Sequence, residues 1–314
     1  MIDSELTNPS DNVVLALDLG GTNARFTAVR RDGEILARVR VPTPGHGSTA
    51  AMLDTIAGGF EQLRSGMSTE LLPIAVAAAV PATISSATGV LEQLPNVPAL
   101  EGVDLRAVLS ERLGLKAVLE NDATAATLGE HWMGASKGID NVIGVTLGTG
   151  VGGGLIIDGK AYRGKDGTAG EIGHVCVEPE GHPCGCGSRG CVEQYSSGTA
   201  IVRMALEAGI DADTPLKVYE LAKQGDERAI LVFVKMGRYL GIAFSGLVNV
   251  LNPDAIVIGG GVSAGWDMFI EHVRREVNER AFRDPAERVN IVRASLGEDA
   301  GVLGAALVAF ERAA

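Results

Sequence analysis

The sequence predicts an α/β protein built from a duplicated unit, and three observations carry that prediction. First, the apolar run VVLALDLG, from Val13 to Gly20, leads through Gly20-Gly21-Thr22-Asn23 into a second β-rich run and then, across Asp32-Gly33, into a third. Second, NVIGVTLGTGVGGGLIIDGKAYRG at 141–164 repeats that order of strand, glycine turn, strand and hairpin, with Asp158-Gly159 at the hairpin tip. A self-similar pair of this kind points to duplication. Third, both stretches are followed by helical periodicities that alternate with short apolar strands.

Taken in order, residues 48–65 read as a helix, with Ser48 or Thr49 as the cap and Met52, Leu53, Ile56, Phe60 and Leu63 on one face. A strand follows at 73–80, then a loop, ATISSATGVLEQLPNVPALEG, marked by Pro and Gly. A helix is expected at about 104–113, a short strand at KAVLEND (116–122), and a helix directly after Asp122. Beyond the second glycine-turn unit, helices are expected from Gly198 to about Ala208, from Pro215 to Gln224, and from about Asp226 to Leu251, where Asn252-Pro253 ends the last. AIVIGGGV (255–262) is a strand with a third glycine turn. A helix near 266–281, a strand near Val289–Ala294 and a helix at about 300–312 finish the chain.

The 314 residues suffice for two domains or one large split domain, and 46% hydrophobic with 21% charged residues describes a globular chain. Only 4% are aromatic, so the cores must be built from Val, Ile, Leu and Ala. A net charge of -12 repels nucleic acid and anionic membranes. Residues 1–12 (MIDSELTNPSDN) lack the basic start and apolar centre of a leader, and the apolar run 71–82 is short and broken by Pro73 and Pro81. The expectation is a cytoplasmic protein.

One stretch, GEIGHVCVEPEGHPCGCGSRGCVEQY (170–195), concentrates chemistry. Cys184, Cys186 and Cys191 form C-x-C-x4-C, with His174 upstream and Glu193 just after. Thiolates and an imidazole are the ligand types of a closed tetrahedral zinc site. The other reading is a surface loop of free or disulfide-bonded cysteines. His182, two residues before Cys184, competes with His174 as a fourth ligand.

Three strand-end glycine turns, at Asp18–Asn23, Gly148–Gly154 and Gly259–Gly261, can present bare backbone N–H groups to phosphate, or can simply be tight packing turns. Asn121-Asp122 stands at a strand end that opens a helix. It is either a helix cap or a carboxylate base aimed at a substrate hydroxyl. Glu171, His174 and Glu193 flank the cysteines and suit a polyol.

With these residues in place, the chain resembles the bacterial sugar kinases of the ROK family, its glucokinases above all. The matching segments are DLGGTNARF (18–26), ENDA (120–123), GVTLGTGVGGG (144–154), GEIGH (170–174), CGCGSRGCVEQYSSG (184–198) and IGGGV (258–262). The resemblance implies a two-lobed, actin-like ATPase fold of RNase-H-like topology, with ATP and sugar in the cleft. It implies a lobe of residues 1–121 completed by the helix at about 300–314, and a second lobe of 122–299 that carries the zinc loop.

By the same resemblance, Asp18 would hold Mg²⁺ through water, with Gly20, Gly21, Thr22 and Asn23 near the γ-phosphate. Gly148, Thr149 and Gly150 would form a second phosphate loop, and Gly259, Gly260 and Gly261 would lie against the adenosine. Asp122 would be the base on the primary hydroxyl. Asn96, Asn121, Asp122, Glu171, His174 and Glu193 would bind the sugar. Asn96 stands in LPNVPAL, where the family often shows N-L-P. His174, Cys184, Cys186 and Cys191 would hold a structural zinc, while Cys176 has no role in the pattern. The implied activity is ATP-dependent phosphorylation of a hexose, glucose first, by a homodimer. Other sugars (fructose, N-acetylmannosamine, N-acetylglucosamine) and polyphosphate as donor are the near alternatives. A sugar-responsive repressor is disfavoured because the first phosphate strand begins at Val13, and an actin-like scaffold because it would not need the 170–198 block.

Overall fold

The structure is a computed structural model that describes residues 11–44, 47–85, 88–94 and 96–313. The leader expectation for residues 1–12 therefore lies almost wholly outside the described residues. The chain divides into two compact units. One comprises Met1–Gly134, Arg163–Thr168 and Asp299–Ala314; the other comprises Ala135–Tyr162 and Ala169–Glu298.

In the first unit, β1 (Asn12–Leu19), β2 (Asn23–Arg30) and β3 (Ile35–Pro42) form an antiparallel meander. Helix α1 (Thr49–Ser65) follows and leads to β4 (Leu72–Val80), which pairs parallel with β1. Ser48 caps α1 by accepting from Ala51 N–H, and Met52, Ile56, Phe60 and Leu63 are buried beneath it. Within the expected loop, the chain forms a two-residue pair, β5 (Thr83–Ile84) with β6 (Leu91–Glu92), too short to leave a periodicity. Helix α2 (Leu105–Leu113), β7 (Lys116–Asn121) and α3 (Asp122–Met133) complete the unit with the closing helix Ala300–Ala313. The sheet order is β3-β2-β1-β4-β7. On edge strand β3, Arg38, Arg40 and Pro42 face solvent while Val39 and Val41 pack inward, which blunts the edge against further pairing.

The second unit opens with β8 (Val142–Leu147), β9 (Val151–Ile157) and β10 (Lys160–Ala161). Four helices follow: α4 (Glu193–Ser196), α5 (Gly198–Glu207), α6 (Pro215–Lys223) and α7 (Glu227–Leu251). Then come β11 (Ala255–Gly259), α8 (Trp266–Arg280), α9 (Arg283–Arg288) and β12 (Asn290–Arg293). Helices α4 and α9 had no counterpart in the sequence reading. The sheet order is β10-β9-β8-β11-β12, so third-second-first-fourth-fifth recurs in both units. The echo between the two hairpin stretches is thus an echo of whole-sheet topology. Asp158 and Gly159 both take positive φ (51° and 71°) at the second hairpin, as a two-residue hairpin turn requires. Among the described residues, α7 is the one helix long and apolar enough to cross a membrane. Its Val232, Phe233, Met236, Leu240, Phe244 and Val248 are buried in the core of this unit.

Helix α3 belongs with the first unit, so the division falls after Gly134 instead of after Asn121, the expected boundary. The cause is close backbone packing on the closing helix. A Cβ on Gly129 would strike the carbonyl of Ala300, and one on Gly304 would strike the carbonyl of Ala125. Two helices that approach this closely leave no room for a methyl group. Gly304→Ala should therefore destabilise the protein by about 3 kcal/mol, by overpacking a backbone contact that cannot shift independently. Urea unfolding checks this: a midpoint equal to that of the parent protein would contradict the packing described.

Candidate active site and metal cluster

In the first unit the functional candidates gather at the carboxyl ends of β1, β4 and β7. Strand β1 ends at Leu19, and the turn beyond it is closed by Gly20 N–H donating to Asn23 C=O (2.9 Å). Thr43 fastens it from the side: its hydroxyl donates to Gly20 C=O (2.8 Å) and its N–H to Thr22 C=O (2.9 Å). Asp18 accepts from Arg25 Nη1 (2.9 Å) and lies against the first turn of the closing helix, where a Cβ on Gly301 would come within 3.1 Å of the carboxylate. Asn96 is brought to the same turn, its Cβ 3.3 Å from where a Gly21 Cβ would stand.

Asn121 reaches over the start of α3. It is the cap of α3: its Oδ1 accepts from Ala123 N–H (3.0 Å) and Thr124 N–H (3.1 Å), and its Nδ2 donates to Ala82 C=O (3.4 Å). Asp122 is then the first helical residue, half-buried, with Oδ1 accepting from Ala123 N–H (2.8 Å). Its carboxylate thus stands at a helix N-terminus, where anions are favoured.

In the second unit the turn Gly148–Gly150 is tied on three sides. Gly198 N–H donates to Gly148 C=O (2.8 Å), Thr199 Oγ1 to Thr149 C=O (2.8 Å), and Val151 N–H to Glu193 Oε2 (3.0 Å). Gly150 packs directly on that carboxylate. Glu193 thus buttresses the glycine turn through one oxygen. The third turn meets the second: Gly260 has φ +83°, and a Cβ there would strike the backbone of Leu147. Gly261 lines a cavity, and Gly259 and Gly260 pack against Ala294 and Leu147. The cavity, about 560 Å³, is bounded by Gly148 and Thr149, by Gly198, Thr199 and Val202 of α5, by Asp213, Thr214, Pro215 and Leu216 at the start of α6, and by Gly261 and Val262. Backbone and hydroxyl groups occupy one end, and Val202, Pro215, Leu216 and Val262 supply apolar walls.

The cysteine stretch of the same unit closes on itself. The ligand atoms of His174, Cys184, Cys186 and Cys191 all lie within 4.8 Å of one another, with His174 Nδ1 3.6 Å from Cys184 Sγ and Cys186 Sγ 3.7 Å from Cys191 Sγ. Two ligands on a tetrahedral ion with Zn–S near 2.3 Å stand about 3.8 Å apart, so the donor set fits such an ion. Burial and the neighbouring thiols push the Cys191 thiol up to about 12, and the Ser188 N–H lowers that of Cys186. A cation at the centre would remove the cost of gathering thiolates there. His174 Nε2 points the other way, 3.9 Å from Glu171 Oε2. His182 is excluded from the cluster: its Nε2 accepts from Arg203 Nη1 (2.7 Å) and its ring packs beside Tyr195. Cys176 is exposed and not among the four ligands.

A model of the ROK family matches residues 14–312. The chain belongs to the ROK family. It is 34% identical to a glucokinase of Thermotoga maritima over 95% of this chain and 98% of that one. It is 36% identical to a glucokinase of Halalkalibacterium halodurans over 94% of each. A crystal structure of a ROK family glucokinase from Streptomyces griseus, in complex with glucose and AMPPNP, superposes with a TM-score of 0.82 at 32% identity, covering 95% of this chain and 99% of that one.

In this ROK chain the sequence reading missed two groups. The cavity walls from α5 and α6 carry no motif, because ordinary Val, Pro and Leu residues become a site only when two helix starts converge. Glu120 was legible as a carboxylate inside the apolar strand KAVLEN, but its partner Arg163 stands 43 residues away with no local signal.

The ligand assignment makes a sharp prediction. His174→Asn and Cys191→Ser should each reduce metal content, read by elemental analysis of purified protein, to half or less of the parent value, whereas His182→Asn should leave it unchanged. Loss of metal from His182→Asn alone would reverse the assignment.

Proposed function

We propose that this ROK-family chain is a hexose kinase that transfers the γ-phosphoryl group of ATP to the primary hydroxyl of a hexose, with glucose as the substrate. The observation that carries the reading is the cavity of the second unit, where a phosphate-sized glycine turn adjoins a slot with apolar walls of base size. The glucokinase relatives, aligned over nearly the whole chain, support glucose as the sugar. They, and the AMPPNP-bound Streptomyces griseus structure, support ATP as the donor.

In this reading the adenosine enters the cavity between Val202, Leu216 and Val262. The glycine turn Gly148–Gly150 takes the phosphates at the cavity of the second unit, and Gly20–Asn23 are the candidate phosphate turn of the first. Asp122 accepts the proton of the hydroxyl as the P–O bond forms, the role of a general base in phosphoryl transfer. Asn96, Glu171 and Glu193, with the Nδ2 hydrogen of Asn121 not directed at Ala82, hold the ring hydroxyls. Mg²⁺, when bound with the nucleotide, neutralises charge on the phosphates. Asp18, already compensated by Arg25 and a helix N-terminus, suits a contact to it through water. Zinc, when bound by His174, Cys184, Cys186 and Cys191, acts as a structural crosslink with all four positions filled. His174 would ligate through Nδ1 and keep Nε2–H as a fixed donor beside Glu171, toward the sugar. A cytoplasmic homodimer belongs to the same reading, and family membership is its support.

The test is ADP formation with a panel of hexoses and N-acetylhexosamines at fixed Mg²⁺–ATP. Glucose should give the highest kcat/KM, and no stimulation by any sugar would refute the proposal. Asp122→Asn preserves shape but cannot take the proton, so kcat should fall about 10²-fold or more with little change in glucose affinity. A separate variant, Leu216→Asp, should raise the KM for ATP about 10-fold, by placing a carboxylate against the base, and leave the KM for glucose unchanged.

A further inference from the structure

We infer that Arg163 is a positioning residue for phosphoryl transfer, acting through Glu120 on the strand end that carries Asn121 and Asp122. The inference rests on the assignment of Asp122 as the base.

Glu120 is the penultimate residue of β7, in a run whose preceding residues, Ala117, Val118 and Leu119, are all buried. Its side chain is only 8% exposed. A carboxylate so placed needs a partner, and Arg163 supplies it: Nε and Nη2 donate to Oε2 at 2.8 and 2.6 Å. The other oxygen, Oε1, accepts from the backbone N–H of Asn121 (3.1 Å). Guanidinium, carboxylate and backbone thus form one chain of hydrogen bonds. It continues through Asn121 Oδ1 into the first turn of α3, where Asp122 sits. The orientation of the Asn121-Asp122 dipeptide is fixed from above by the helix it caps and from below by Arg163.

Arg163 comes from an unusual place. Residues 163–168 belong to the first unit although the chain on both sides belongs to the second. The excursion is pinned by Arg163 on Glu120 and by the approach of Gly167 to Ile84 C=O, where a Cβ would stand 3.6 Å away. It ends at Thr168, and Glu171 follows three residues later, then His174. The same ion pair therefore anchors two things: the peptide that presents the base, and the chain segment that leads into the sugar block. A buried ion pair is not needed for stability as such, since an apolar pair of similar volume often serves equally well. What an apolar pair cannot reproduce is the directed bond to Asn121 N–H.

The experiment compares Arg163→Met, Arg163→Lys, Glu120→Gln and the double variant Arg163→Met/Glu120→Leu, reading Tm together with kcat and both KM values well below each Tm. Arg163→Met and Glu120→Gln should lower kcat about 10-fold or more and raise the KM for glucose, with the KM for ATP within about twofold, because a small misplacement of a reacting group is costly. Arg163→Lys should recover part of kcat. The double variant should regain Tm but not kcat. If Arg163→Met fails to fold, the lysine, glutamine and double variants carry the same comparison. A double variant that regains both Tm and kcat, or single variants that alter both KM values equally with unchanged kcat, would overturn the inference. Absence of hexose-dependent ADP formation in the parent protein would instead defeat the kinase reading, and this inference with it. Loss of kcat in Arg163→Met, with full kcat in Asp122→Asn, would show that the base is misassigned.

Discussion

Each sheet stops its first strand on a glycine-rich turn, and the rest of the architecture serves to hold those turns still. A glycine turn can direct N–H groups outward only if something else fixes its carbonyls and flanks. In the first unit Thr43 takes that task with its hydroxyl and its N–H. In the second, Gly198, Thr199 and Glu193 bind the turn from three directions. The repetition of strand order across the two sheets means that the same strand end is used twice. The helices that follow then place capped N-termini at the edge of the cavity: Ser197 at α5 and Thr214 at α6.

The cysteine stretch depends on the same buttress. Val192 N–H donates to Val175 C=O, Gly190 N–H to His182 C=O, and Cys184 N–H to Ser188 C=O, so backbone bonds fold the loop into a compact knot. Glu193 then connects this knot to the glycine turn through Val151 N–H. One residue therefore belongs to two devices: the metal cluster ends at Cys191, and two positions later the chain supports the phosphate turn.

Much of this was legible in the sequence. The two hairpin stretches could be laid over each other because Asp-Gly marks both hairpins, with Gly33 and Gly159 at positive φ, and glycines mark both first-strand ends. The sequence left His174 and His182 as competing members of the cluster; in the structure His174 stands with Cys184, Cys186 and Cys191, and Arg203 bonds to the His182 ring. At Asn121-Asp122 the sequence could not choose a cap, because both residues are good caps; in the structure Asn121 Oδ1 takes two N–H groups and Asp122 Oδ1 takes one. The packing of α3 on the closing helix was not legible, because glycines admit a contact between segments about 175 residues apart that no local pattern encodes. The α9 helix was hidden by Pro285, which breaks a helical pattern in mid-sequence but is tolerated in a first turn. The same non-local character hid Arg163 and the walls of the cavity.

The central claim is that this chain moves one phosphoryl group from ATP to the primary hydroxyl of a hexose, and ³¹P NMR of a reaction with glucose tests it most directly. The account predicts a phosphomonoester split by the two protons of a neighbouring CH₂ group, formed in step with ADP. Orthophosphate as the only new signal, or a phosphoester coupled to a single ring proton, would contradict it.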